Sequence, residues 1–260
     1  MTVLISLLGT GLLGLFFIDP IPQDPAYHLF ADSRGLLGIP NFGDVVSNAG
    51  FAIAGLFGLF VILGRHRSRI FKQRLDAWPY LIFFSGVALI SVGSVYYHLE
   101  PSNERLLWDR LPMSVAFMAF CSAVIADRIH NRLGNTWLLA LLVGLGILSL
   151  VYWYLTESQG HGDLRFYGFV QFYPILMLPV VLWLFPDHGY TAGQFLGWVI
   201  AWYALSKVLE LYDKEVFDLF GHIVSGHTLK HLAAGAGALV VLLMLLASSP
   251  SSSTQKERDE

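Results

Sequence analysis

The 260 residues are 55% hydrophobic and only 13% charged, with a mean hydropathy of +0.59, outside the usage of soluble globular domains. The apolar residues come in blocks near the roughly 20 residues a helix needs to cross about 30 Å of hydrocarbon, so a soluble fold is excluded and an all-α, polytopic membrane bundle is expected. A formal net charge of −3 offers no basic field for nucleic acid, and the single cysteine, Cys121, excludes an internal disulfide.

In chain order, apolar segments fall at 3–18, 45–63, 78–97, 111–126, 136–155, 166–185, 195–211 and 228–247. Each is expected to be helical, because lipid forces backbone polar groups to bond within their own segment. The first has no basic residues ahead of it and no small-x-small cleavage signal, so it reads as a retained span rather than a signal peptide. The chain then divides into an N-terminal transmembrane segment, 1–18, an extracytoplasmic polar segment, 19–44, a seven-helix core, 45–247, and a polar, low-complexity tail, 248–260, expected to be disordered and cytoplasmic. Cys121 lies in an apolar run and reads as a small buried hydrophobe.

Basic residues set the orientation. Arg65, Arg67, Arg69, Lys72 and Arg74 in one loop, with Arg128 and Arg132 in another, mark the cytoplasmic face. With eight spans both termini fall on that face. The opposite face collects 19–44, 98–110, 157–165 and 213–226, and with them most of the polar chemistry.

Ser94 and His98 stand four residues apart at the end of one span, and therefore on one helical face. Asp109 begins the next span, and His227 and His231 repeat the four-residue spacing at the start of the last. Three imidazoles with an open position are the ligand set of a catalytic zinc site. His222 does not fit: five residues from His227, it lies about 140° around a helix. His66, His130 and His188 fall on the cytoplasmic side, while His28 and His161 share the site's face without a helical partner.

Tyr167 and Gln171 in one span, and Lys207 and Glu210 in another, line a head-group pocket or act as glue between helices; Lys207 and Glu210 are spaced to pair. Asp163, Arg165, Tyr173 and Asp213 belong to the same two stretches. Tyr96, Tyr97, Trp108, Trp153 and Tyr154 read as an interfacial belt. On residues alone, a non-enzymatic seven-helix receptor, transporter or retinal protein, with Lys207 or Lys230 as a Schiff-base residue, stays open.

Ser94-x-x-x-His98, Asp109 and His227-x-x-x-His231, with Val46-Ser47-Asn48 opening the second span, resemble the alkaline ceramidases across 41–246. These belong to a wider superfamily of membrane hydrolases that includes the progestin and adipoQ receptors. The resemblance implies that His98, His227 and His231 hold Zn²⁺, that Asp109 handles the attacking water, and that Ser94 stabilises the reacting carbonyl. It implies a ceramide-like lipid drawn from the bilayer and cleaved at its amide into sphingoid base and fatty acid. A divergent bacterial member would sit in the inner membrane with its site facing the periplasm.

The family also carries an acidic calcium site ahead of its first core helix. Here Asp19, Asp24, Asp32, Asn41 and Asp44 could supply oxygens for Ca²⁺, but the compact acidic cluster is not reproduced. A plain polar cap built on Pro-Asn and Ser-Arg-Gly turns is the competing reading. A metal-dependent lipid esterase or lipid-remodelling hydrolase would use the same residues and is the alternative activity.

Overall fold

The computed structural model describes residues 2–65 and 67–248. Beyond Ser248 the expected disordered tail lies outside the described residues, and so does His66. The helices are α1 (Thr2–Gly14), α2 (Phe42–Ser47), α3 (Ala49–Leu63), α4 (Arg67–Ile70), α5 (Ala77–Leu99), α6 (Asn103–Arg128), α7 (Asn131–Gly134), α8 (Trp137–Ser158), α9 (Arg165–Leu184), α10 (Gly193–Leu211), α11 (Asp213–Leu219) and α12 (Gly226–Ala247). Among the described residues the only β pairing is an isolated bridge, Leu36 to Ile39. The expected all-α membrane bundle is therefore what the chain builds.

Among the described residues six helical segments are long and apolar enough to cross a membrane: Phe42–Leu63, Arg74–Leu99, Asn103–Arg128, Trp137–Ser158, Arg165–Leu184 and Gly226–Ala247. The other two apolar segments expected to span are helical as well. The N-terminal one forms α1, continued by a 3₁₀ turn over Leu15–Phe17. α10 has the length, 19 residues, but carries Lys207 and Glu210 in its last turns, which keeps it out of the apolar set. Pro112 in α6 and Pro174 and Pro179 in α9 stand inside helices, where packing with neighbouring helices makes them tolerable in a membrane.

Packing runs as an arc of seven helices: α10 on α12, α12 on α3, α3 on α5, α5 on α6, α6 on α8, and α8 on α9, with α1 laid against α9. α9 and α10, the ends of the arc, are not closely packed, and a cavity of about 1100 Å³ fills the space between them and the rest of the bundle.

The two ends of the bundle are fastened differently. At the end bearing the arginine-rich loops, Asp76 accepts from Asn131 at 2.8 Å, Asn135 at 3.0 Å and the Tyr190 hydroxyl at 2.8 Å. Asp127 accepts the Thr191 N–H at 2.8 Å, and Arg128 donates to the Thr191 carbonyl. At the other end the 19–41 segment crosses the helix termini. The Leu164 N–H donates to the Ile21 carbonyl at 2.8 Å, the Ala31 N–H to Asp213 at 2.9 Å, and Asn41 to the His98 carbonyl at 2.8 Å. Arg165 donates to the carbonyls of Leu15 at 3.0 Å and Ile18 at 2.5 Å, tying α1 to the start of α9. The same guanidinium holds the Asp163 carboxyl down at about 2, so this clamp is ionised throughout the physiological range.

Candidate active site

The site is built where α5 ends and α12 begins. α12 starts at Ser225, whose hydroxyl accepts the Thr228 N–H at 2.9 Å, a side-chain cap of the kind that fixes a helix N-terminus. The next residue has to be glycine: a Cβ on Gly226 would run into the Leu209 carbonyl and Asp213. That close approach brings the Asp213 carboxylate to the His227 N–H at 2.7 Å, while its other oxygen holds Ala31 of the crossing segment. Backbone and cover are thus pinned by one side chain.

His98, His227 and His231 converge with ligand atoms all within 4.8 Å of one another. Their relative exposures are 1%, 5% and 5%. The Nε2 atoms of His98 and His227 lie 3.2 Å apart. Phe30 of the crossing segment covers both rings, with centroids 4.6 Å from each. The Ser47 hydroxyl donates to the Asp44 carbonyl at 3.1 Å and sits 2.8 Å from His231 Nδ1. Its single proton is committed to the carbonyl, so by hydrogen-bond logic Nδ1 of His231 carries the N–H and Nε2 is left with its lone pair. Among the described residues this trio is the one group of three or more His, Cys, Asp or Glu side chains close enough to share an ion.

These residues fit a metal. Three buried imidazoles whose ring nitrogens face one another, with His98 Nδ1 buried and unpartnered, form a costly arrangement unless a cation sits among them. Nitrogen ligands and a position open to a cavity suit Zn²⁺ better than the hard, oxygen-seeking cations.

Ser94 is 1% exposed and lies one turn before His98 on α5. Its hydroxyl faces the Asp109 carboxylate on α6. Ser94, Asp109 and His231 all line the large cavity, as do Tyr167, Gln171, Lys207 and Glu210. The rest of the wall is largely apolar and comes from α1, α6, α8, α9, α10 and α12. Lys207 and Glu210 do pair, at 2.6 Å, but the carboxylate is shared with Lys230 at the same distance and accepts from the Tyr27 hydroxyl at 3.2 Å. The sequence had offered Lys230 only as a Schiff-base residue; it is an ion-pair partner one residue before a site histidine.

Most of the oxygens considered for calcium have partners within the protein. Asp24 caps its own turn through the Ala26 N–H at 2.8 Å, Asp32 is held by Arg34 at 2.7 Å, and Asn41 is bound to the His98 carbonyl. Asp44 is fully buried against Thr228 at 2.7 Å, and Asp19 is exposed. Asp44 Oδ2 is buried without a hydrogen-bond partner.

Two other expectations change. His28 has no helical partner, yet it clamps Tyr97 and Asn103 at 2.9 Å each. Trp153 and Tyr97, expected at the interface, are 0% and 1% exposed and belong to the core beneath the crossing segment, whereas Trp108 and Tyr96 are exposed as expected. His222 is exposed beside Asp218 and apart from the trio.

An integral membrane bundle with three buried histidines that could hold a metal ion, and with a serine and a carboxylate at the head of an apolar cavity, defines the class of this protein. The family model described as Ceramidase matches residues 39–260, and the chain belongs to that family. Among curated proteins no match is found. Membership supports a hydrolase that acts on the amide bond of a ceramide-type lipid.

Proposed function

We propose that the protein is a zinc-dependent amidase that cleaves the N-acyl bond of a ceramide-like sphingolipid, releasing a sphingoid base and a fatty acid. The observation that carries this reading is that the Ser94–Asp109 pair and His231 open onto one apolar cavity. His98, His227 and His231 would hold the ion. When bound, Zn²⁺ lowers the pKa of water towards 7 and polarises the carbonyl it faces.

Asp109 accepts the proton of the attacking water and returns it to the leaving nitrogen, acting as general base and then acid. Ser94 turns its hydroxyl from Asp109 to the developing oxyanion, where one such donor contributes on the order of 10²-fold or more. Phe30 and the crossing segment keep bulk water from the rings, which strengthens each of these interactions. The lipid enters sideways between α9 and α10 and lays its chains in the cavity. With the arginine-rich loops cytoplasmic, the site faces the periplasm of a bacterial inner membrane.

The test is metal content and hydrolysis of a fluorescent ceramide by detergent-purified protein, beside His231→Ala and Asp109→Asn. The reading expects about one zinc per wild-type chain, with metal and turnover both lost in H231A. In D109N zinc stays and turnover falls about 10²–10⁴-fold. Wild-type protein without zinc under chelator-free purification, or full turnover in D109N, overturns it.

A further inference from the structure

Arg110 is not explained by hydrolysis of a neutral amide. It follows Asp109 on α6, is 6% exposed and lines the cavity. Its guanidinium lies among three rings, 5.1 Å from Tyr27, 4.9 Å from Trp153 and 5.1 Å from Tyr167. Its Nη1 is buried without a hydrogen-bond partner, and among the described residues no carboxylate forms an ion pair with it.

Close by, Lys207 and Lys230 are shared by one carboxylate, Glu210, which the Tyr27 hydroxyl also touches. Tyr27 therefore links the guanidinium to the two ammonium groups. Arg110, Lys207 and Lys230 stand with Glu210 and Asp109 at the polar end of an otherwise apolar cavity. The aromatic faces offset part of the cost of burying the guanidinium, but a buried charge with unused donors is stable only with a counter-charge. The planar fork of arginine matches phosphate, sulfonate or carboxylate oxygens.

We infer that Arg110, with Lys230 and Lys207, forms a subsite for an anionic group carried on a lipid: a phosphate or sulfonate on the head group of the substrate, or the carboxylate of the released acid. This deepens the amidase reading and rests on it for the identity of the lipid, although anion binding itself does not require turnover.

Two measurements on the full chain in neutral detergent separate the possibilities. The first is thermal stability during titration with dodecyl phosphate and dodecanoate, with dodecanol as the neutral control. Wild type shows a saturable rise in Tm with an anionic amphiphile and none with dodecanol, and Arg110→Gln weakens the apparent affinity by about tenfold or more. Equal responses to dodecanol and the anions, or an unchanged affinity in R110Q, overturn the subsite. If R110Q elutes as aggregate, Arg110→Lys and Lys230→Gln provide the same reading, each expected to weaken anion binding; unaltered binding in both counts against the proposal.

The second is the ratio of kcat/KM for ceramide 1-phosphate over ceramide. A ratio above one that falls about tenfold in the Arg110 variant assigns the subsite to the head group. A ratio at or below one, with dodecanoate a competitive inhibitor, assigns it to the released acid. If neither lipid is hydrolysed while Arg110-dependent binding persists, the amidase reading falls and the anion subsite stands.

Discussion

Ser47 shows how a residue outside the ligand set governs one inside it. Its hydroxyl fixes the ring of His231 from the adjoining α2, 184 positions away in sequence, and partners of this type are worth roughly 10–100-fold in metal affinity or activity when removed. Ser47→Ala is expected to weaken zinc binding by about that factor, measured by chelator competition, while Ser47→Thr retains most of it. Equal zinc affinity in S47A and wild type would show that Asp44 and α12 orient the imidazole without help. The four-residue spacings of Ser94 with His98 and of His227 with His231 were legible because each lies within one helix. The Ser47–His231 contact, the Glu210 bridge to Lys230 and the rings around Arg110 were not, since each joins helices whose register no local pattern specifies. Val46-Ser47-Asn48 could be noticed in the chain only as part of a family resemblance, with no indication of what its serine does.

Between helices, the decisive feature is the closeness of α5 and α6 at the level of the chemistry. A Cβ on Gly93 would collide with the Trp108 carbonyl and approach the Asp109 N–H nitrogen at 3.3 Å, so the smallest side chain would push Asp109 away from Ser94. Gly93→Ala is expected to lower turnover by about 10²-fold, the cost that a displacement near 1 Å can carry. Zinc content should hold, because the three histidines belong to α5 and α12. Zinc analysis beside ceramide turnover checks this, and wild-type turnover in G93A would mean that the Ser94–Asp109 contact is not needed in the working geometry. The same scale explains the span count. Hydropathy finds apolar blocks wherever they occur, but α10 presents Lys207 and Glu210 to the inside of the bundle, so its average polarity reflects the cavity it lines.

For the whole molecule, composition alone was enough to reach an all-α membrane protein, because the solvent dictates the answer. The cavity beside α9 and α10 was beyond reach, since it depends on two helices that are not closely packed. α1 contributes to the same space: the family match begins at residue 39, yet Leu4, Leu8 and Leu12 of α1 line the cavity. The helix is held there at its far end by Arg165 on the Leu15 and Ile18 carbonyls, and along its length by Phe169 and Tyr173, whose ring carbons lie 2.9 and 3.3 Å from where a Cβ on Gly11 would stand. The segment outside the matched region is thus a wall of the lipid chamber, and its side chains bear on how much chain the chamber accepts. Leu8→Trp adds bulk to that wall at a position already 41% exposed, so the helix can carry it without disturbing the core. The expected result is a fall in kcat/KM that grows with acyl length, about tenfold for the longest chains and negligible for the shortest, each lost methylene being worth roughly 0.8 kcal/mol of burial. A chain-length series of fluorescent ceramides checks it, and an equal change at every length would mean that the acyl chain lies elsewhere in the cavity and that α1 closes the bundle without touching the substrate.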